Sequence, residues 1–138
     1  MAHYLFNVTD GDRQHVRAHL RARRWGVGRD ERHRAALAAG DLALVYLAAA
    51  GELVARVELA TAVHEWTQTS PGDAPSGVLL SQVEEWDPAV PMAAVVHRID
   101  PTRSNPIVQA NAATGFRARV VLVTADEYEA VVALAREE

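Results

Sequence analysis

The sequence predicts an α+β fold in which a curled, mostly antiparallel sheet closes into a small open barrel. Its segments read in the order β-α-α-β-β-β-α-β-α, so the strands follow one another instead of alternating regularly with helices. The 138 residues, 49% of them hydrophobic, match the length and composition of one globular domain. We therefore expect a single domain over residues 1–138, with about five to six strands and flanking helices.

The N-terminal third predicts a strand followed by two helices. Residues 3–8, HYLFNV, are rich in aromatic and β-branched types and predict the first strand. A helix is expected over Asp10–Arg24, with Val16 and Leu20 on its buried stripe. A short helix over Asp30–Ala39 is expected next.

The centre of the chain predicts a β-hairpin. Asp41–Leu47 is an apolar run of strand length, and Glu52–Trp66 follows it after Gly51. The second run alternates, which predicts a strand with one buried face. The residues expected on that face are Leu53, Ala55, Val57, Leu59, Thr61 and Val63.

The C-terminal half predicts two more strands and two more helices. The Thr124 to Glu127 spacing is a capping box, which opens a final helix over Ala125–Ala135 with Tyr128 on its apolar stripe. The other segments, in order, are a loop at 67–77, a strand at 77–86, a helix from Pro88 to Ile99, an irregular stretch at 100–115 and a strand at Phe116–Val123.

The composition excludes several kinds of chemistry. The chain has no cysteine and no lysine, since all 14 of its basic residues are arginine, so thiolate sites and Schiff-base lysines are excluded. His15 and His19 have the helical spacing of a zinc pair, but no acid or cysteine nearby completes a ligand set. We therefore expect no metal and no cofactor. Without a secretory leader or a membrane span, the expected location is the cytoplasm.

Positive charge is concentrated in one segment of an acidic protein. Residues 13–34 contain eight arginines and two acids, although the net charge of the chain is −4. A basic surface on an acidic protein is typical of contact with phosphate. The alternatives are a solvated helix face or pairing with Asp30, Glu31 or Asp41. The predicted phosphate-binding residues are Arg13, Arg17, Arg21 and Arg24 on one helix face, together with Arg29 and Arg34.

One segment resembles the central signature of EVE domains, which belong to the PUA-like superfamily with the related YTH and ASCH domains. The segment is WGVGRDERHRAALAAGDLALVYLA, and the residues that fit are Trp25, Val27, Arg29, Arg34, Gly40, Asp41 and Tyr46. Thr9 stands where YTH domains place a serine, and the tail VVLVTADEYEAVVAL is similar to the end of these domains. The resemblance spans nearly the whole chain and implies a PUA-like pseudo-barrel.

Three positions depart from the family pattern. Asp30 stands where an asparagine is usual, Ala55 stands where the family often has glycine, and Gly28 adds a residue before Arg29. These changes affect the aim of the arginine and the closeness with which a ligand can approach the third strand.

The resemblance also implies a reader of modified bases, which holds a flipped or unpaired base in an aromatic cage. Trp25 and Trp66 are the expected cage walls, with Asn7 and Thr9 placed to hydrogen-bond a base edge. For each of them the alternative is an ordinary core or turn role. The predicted base-binding residues are Trp25, Trp66, Gly26, Val27, Asn7, Thr9, Tyr46 and Trp86.

The function predicted from the sequence is therefore recognition, without catalysis, of a modified or flipped base in RNA or DNA. Stacking on tryptophan contributes roughly 1–3 kcal/mol per base and needs no duplex sequence contacts. Two alternatives stay open. One is a small-molecule or protein-interaction domain, and the other is a nucleoside amidohydrolase similar to some ASCH domains, although the lysine of those enzymes is absent here.

Overall fold

A computed structural model gives the architecture of most of the chain. It describes residues 1–8, 13–28, 31, 33–66, 76–98 and 120–137. Residues 67–75 of the loop predicted over 67–77, the irregular stretch at 100–115 and residues 116–119 of the last predicted strand lie outside these residues.

The described residues contain seven strands and three α-helices. The strands are β1 (His3–Val8), β2 (Arg24–Gly26), β3 (Leu42–Leu47), β4 (Glu52–Leu59), β5 (His64–Glu65), β6 (Ser76–Pro91) and β7 (Val120–Val123). The helices are α1 (Arg13–Ala22), α2 (Met92–Arg98) and α3 (Ala125–Arg136), and Arg34–Ala36 forms a 3-10 turn.

All seven strands belong to one mixed sheet. Its order is β2-β6-β4-β3-β1-β7, and β5 pairs with β6 beside this path. The β1–β3 pair is parallel, and the other pairs are antiparallel. The predicted α+β class with a mostly antiparallel sheet is confirmed. It has more strands than expected, because the run 52–66 breaks into β4 and β5 and because Arg24–Gly26 forms the unpredicted β2.

The sheet buries side chains on both faces, because successive residues of a strand point to opposite sides. In β1, Tyr4 and Phe6 enter a first core that also contains Val16 and Leu20 of α1. The intervening Leu5 enters a second core, which α2 and α3 cover.

The predicted buried face of β4 is confirmed for Ala55, Val57 and Leu59, which enter the first core. Leu53 is buried in the second core instead, because the register of β4 shifts between Leu53 and Ala55. Thr61 and Val63 follow the end of β4 and are half-buried.

Helix α1 is shorter than the sequence predicts. It ends at Ala22, and Arg23 adopts a left-handed backbone with φ of 57°. This conformation turns the chain, so that Arg24 begins β2 opposite Leu79. The prediction that Arg24 lies on the helix face with the other arginines is therefore wrong.

The predicted helix over Asp30–Ala39 is reduced to the short 3-10 turn in its described part. Leu37 leaves the turn with an extended backbone, at φ −66° and ψ 130°. The buried Asp41 holds this geometry, because its carboxylate accepts from the N–H groups of Ala38 and Ala2, each at 3.0 Å.

Strand β6 runs further than predicted. The expected change from strand to helix at Pro88 is wrong, because Val90 and Pro91 pair with Leu53 and Glu52 of β4. Pro88 falls where the register shifts between Leu53 and Ala55, and a proline is tolerated at such an irregularity.

The predicted capping box of the last helix is confirmed. Thr124 Oγ1 accepts from the Glu127 N–H at 3.1 Å, and Glu127 Oε1 accepts from the Thr124 N–H at 3.0 Å. The box opens α3, whose Tyr128, Val131 and Val132 are buried in the second core.

A polar network ties α3 to the sheet through Glu84. Its Oε2 accepts from Trp86 Nε1 at 2.9 Å and from Arg56 Nε at 3.2 Å, and Arg136 lies 3.5 Å from Oε1. The hydrogen bond from Trp86, aided by the two guanidinium groups, lowers the pKa of Glu84 below its ordinary value.

None of the helices in the part of the chain that the structure describes has the length and apolar character needed to cross a bilayer.

Candidate nucleic-acid interface

Three strands meet at Gly77, near the beginning of β6. Gly26, the last residue of β2, pairs with Gly77 from one side, and His64 of β5 pairs with it from the other. The chain leaves β5 directly into Trp66, while Trp25 occupies the centre of β2. Two of the three tryptophans are therefore brought to one place by strand pairing.

A side chain at position 77 would not fit between these tryptophans. A Cβ built there would overlap the carbonyl oxygen of Trp25 and would lie 2.5 Å from Cζ2 of Trp66. Residue 77 must therefore be glycine for β2 and Trp66 to approach this closely. We call Gly77, Trp25, Trp66, Arg24 and His64 the Gly77 corner.

Trp25 is a half-buried wall of the first core. Its indole stacks on Phe6 with ring centroids 5.6 Å apart and planes inclined by 13°. The ring of His19 in α1 meets its edge at 6.2 Å. One face of the Trp25 indole is thus covered by a core residue.

Trp66 stands in a more polar setting. The guanidinium carbon of Arg24 lies 4.2 Å from the centroid of its indole, which is a cation–π contact. His64 meets the same indole edge-on, at 4.9 Å and 84°. Trp66 is half-buried, and His64 is exposed.

The two indoles lie on different faces of the sheet. Trp25 pairs with Val78, which is fully buried in the first core, whereas Arg24 pairs with Leu79, which is 38% exposed. Since Arg24 reaches Trp66, that ring lies on the outer face. In the described structure the two predicted cage walls therefore flank Gly77 and do not face each other across a hollow.

Arg34 is anchored beneath the corner through Ser76. Its Nη2 donates to Ser76 Oγ at 2.9 Å, and this fully buried hydroxyl donates to the carbonyl of Val27 at 2.7 Å. Glu65 lies 3.7 Å from the same Arg34 nitrogen. The alternative role of Arg34 was pairing with Asp30, Glu31 or Asp41; the ion pair that it makes among the described residues is with Glu65. Gly26 is exposed, whereas Val27 is 1% exposed and serves the core.

The arginines of α1 lie along β6. Arg13 donates from Nη2 to the carbonyl of Trp86 at 3.0 Å, and Arg17 lies 3.7 Å from the carboxylate of Glu85. Arg21 is exposed. An exposed ion pair such as that of Arg17 is weak, so this arginine can exchange its partner at little cost.

The remaining predicted base-binding residues are not brought to the corner. Tyr46 and Trp86, at 3% and 6% exposure, belong to the second core, and burial raises the pKa of Tyr46. Asn7 is also buried and pairs with Tyr46 across β1 and β3. The cause is strand alternation, which sends Phe6 toward Trp25 and Asn7 to the opposite face. Thr9 and Arg29 lie outside the described residues.

Two of the three family departures can be placed. Ala55 is fully buried in the first core, so its methyl group fills packing space there. Gly28 is half-buried after the end of β2. Asp30 lies outside the described residues.

The two histidines of α1 lie close together. Nε2 of His15 and Nε2 of His19 are 3.2 Å apart. In the part of the chain that the structure covers, no three histidine, cysteine or acidic side chains lie together as a metal site would require.

Sequence patterns did not single out Gly77 and His64 of the corner, or Ser76 beside it, as site residues. Ser76 and Gly77 look like the end of a loop, and their signal is only a small-residue pair directly before a strand. Arg24 was expected on the helix, and its contact with Trp66 joins residues far apart in the sequence.

No protein-family model matches the sequence, and no curated protein matches it. Solved structures do match. The structure of human THYN1 in complex with 5-methylcytosine-containing DNA gives a TM-score of 0.67 at 16% identity, covering 100% of this chain and 99% of that one. The DUF55 domain of human thymocyte nuclear protein 1 also gives 0.67 at 16%, covering 99% and 100%. Protein Atu2648 of Agrobacterium tumefaciens gives 0.66 at 20%, covering 99% and 94%.

At these identities the likeness establishes the fold, as the resemblance to EVE domains led us to expect. The chain has the α+β, PUA-like fold of the THYN1 domain.

Proposed function

We propose that this protein binds nucleic acid and takes one flipped or unpaired base, preferentially a modified one, at the Gly77 corner. The observation that carries the proposal is the convergence of two tryptophans on one glycine, with a guanidinium already lying on one of the indoles. The similarity in fold to THYN1, a protein solved with 5-methylcytosine-containing DNA, supports the same class of ligand.

Stacking on an indole would supply most of the affinity for the base. Each stacked base gains roughly 1–3 kcal/mol, and a methyl group on the base adds apolar area to that contact. In this proposal Trp66 is the stacking surface on the outer face. Trp25 acts as a second wall only if the base reaches past Gly26, which is exposed at the end of β2.

Arginines on both sides of the corner would hold the phosphates. Arg24 belongs to the corner, and Arg34 lies beneath it on Ser76. The exposed Arg21 lies on α1, three residues before Arg24 in the chain. Arg13 and Arg17 are the more distant described members of the proposed set, and Arg29 completes it. Guanidinium groups suit this role because their forked donors match phosphate oxygens.

We propose binding without catalysis. The chain has no lysine and no cysteine, and the corner offers stacking surfaces and cations in place of a nucleophile beside its base. We also propose that residues 1–138 act as one domain in the cytoplasm. Amidohydrolase activity and a role in binding small molecules or proteins are the outcomes that would replace this proposal.

Fluorescence anisotropy with matched oligonucleotides tests the function. The probes are labelled strands, in DNA and RNA versions, that differ only in one unpaired cytosine or 5-methylcytosine. We expect binding to both and tighter binding to the methylated strand, with the probe recovered chemically unchanged. The matched control pair is Trp66→Ala, which should lose the preference, and Trp66→Phe, which should keep part of it.

Three results would contradict the proposal. Equal affinity of the wild-type protein for both strands would show that it does not recognise the methylated base. Lack of binding to any nucleic acid would favour an interaction domain. Recovery of a deaminated or hydrolysed base would favour an enzyme.

A further inference from the structure

The guanidinium of Arg24 occupies the surface of Trp66 that a stacked base would need. Its central carbon is 4.2 Å from the centroid of the indole. A base stacked on that face would place its atoms about 3.5–4 Å from the ring. The guanidinium and the base would therefore compete for the same space.

The other described neighbours of Trp66 are less able to move aside. Cζ2 of the indole would lie 2.5 Å from a Cβ at position 77, so the ring packs directly against Gly77. Gly77 is held in place by pairing with both Gly26 and His64. His64 belongs to β5 and meets the indole by its edge. Arg24 is attached to its strand by a flexible side chain, so it is the neighbour that can swing away.

Displacing Arg24 from the indole costs free energy, and the stacking of a base on Trp66 does not offset that cost by itself. A cation–π contact and a base–indole stack are of comparable strength. Displacing Arg24 breaks at least this cation–π contact, so a neutral base or nucleoside would gain little by stacking. A ligand with a phosphate offers the displaced guanidinium a charge-assisted, forked hydrogen bond in return.

We propose that Arg24 is a displaceable cap on Trp66, which makes the corner selective for bases that carry a phosphate. This inference rests on the proposed function and specifies its ligand class: a nucleotide or a strand, in preference to a free base or nucleoside. When the guanidinium of Arg24 leaves the indole to bind the phosphate, the same movement uncovers the face of Trp66 on which the base stacks. Neither event occurs without the other.

Calorimetric titration with a matched ligand pair tests the cap. The ligands are 5-methyl-2′-deoxycytidine and its 5′-monophosphate. The wild-type protein should bind the monophosphate at least about tenfold more tightly. Arg24→Ala should change the two affinities in opposite directions. It should bind the nucleoside about threefold more tightly than the wild type does, and the monophosphate more weakly.

The charge control is Arg136→Ala, which removes an arginine from α3, where it pairs with Glu84. Both affinities should stay at their wild-type values in this variant. Arg24→Lys keeps the charge but loses the planar group, so it should retain part of the preference for phosphate.

A direct readout is the NMR signal of the Arg24 side-chain N–H, which the indole ring current shifts upfield. Addition of the monophosphate should move this signal downfield as the guanidinium leaves the ring. A signal that stays upfield while the monophosphate binds would overturn the cap and leave base recognition intact. Weaker binding of both ligands to Arg24→Ala would do the same. Lack of binding of either ligand and of any oligonucleotide to the wild-type protein would overturn both proposals.

Discussion

Gly77 approaches Trp25 so closely that a Cβ on residue 77 would overlap the Trp25 carbonyl oxygen. Gly77→Ala should therefore push β2 away from β6 and lower the free energy of unfolding by about 1–3 kcal/mol, the range of overpacked sites. Urea denaturation measures this loss. A matched control is Gly51→Asn, because a Cβ at Gly51 meets nothing within 4 Å and asparagine tolerates its φ of 66°. Equal stability of Gly77→Ala and the wild type would refute the close approach.

Ser76 should be worth more to stability than its size suggests. Its hydroxyl is fully buried, donates to Val27 and accepts from Arg34. Ser76→Ala leaves a buried carbonyl and a guanidinium without this partner, so we expect a loss of about 1–3 kcal/mol in thermal or urea unfolding. A substitution that costs nothing would show that Ser76 does not anchor Arg34 there.

The lowered pKa of Glu84 predicts that the free energy of unfolding depends on pH. Since Trp86, Arg136 and Arg56 lower its pKa in the folded state, the carboxylate stabilises the fold above its ordinary pKa, 4.5, and this stability is lost as the pH falls through the lowered value. The effect is small because the Glu84 side chain is 37% exposed. Glu84→Gln should show a shallower loss of stability between about pH 5 and pH 3 than the wild type. Identical pH profiles would contradict this account of the network.

Arg21 should contribute to nucleic-acid binding through charge alone, since it is exposed on α1. Arg21→Ala should weaken binding to every sequence alike and should reduce the slope of log affinity against log salt by about 0.7 for a single strand. Anisotropy titrations over a range of salt concentrations measure the slope, with Arg136→Ala as the charge control. A change confined to the methylated strand would instead place Arg21 at the base.

Local patterns in the sequence predicted the structure correctly where a side chain's role depends on residues close to it in the chain. Val16 and Leu20, the alternation of Ala55, Val57 and Leu59 in β4 and the Thr124 capping box all depend on spacings of a few residues, and the structure confirms each. Leu53 is the exception in β4, because a register shift turns it to the second core. The fold class followed from the order of such elements.

Long-range pairing set the features that sequence patterns did not predict. Pro88 and Pro91 look like helix signals, but pairing with β4 keeps them in β6, where Pro88 sits at a register shift. The contact of Arg24 with Trp66 depends on β2 and β5 both pairing with β6, and no local spacing records that arrangement.

The sequence predicted some of the residues of the candidate site, but it did not predict how they are arranged. Trp25 and Trp66 do meet at one glycine, but strand alternation sends them to different faces. The same alternation carries Asn7, Tyr46 and Trp86 toward the second core. A pattern of single residues in a sequence does not show which face of the sheet each one will occupy.

The most direct test of the central claim is the response of the three indole N–H signals in an NMR titration with a strand carrying one unpaired 5-methylcytosine. The account predicts that the Trp66 signal shifts most and the Trp25 signal shifts less. The Trp86 signal, whose N–H donates to Glu84 and whose ring is buried in the second core, should stay unchanged. A strand that binds while the Trp25 and Trp66 signals remain still, or one that shifts Trp86 alone, would contradict recognition at the Gly77 corner.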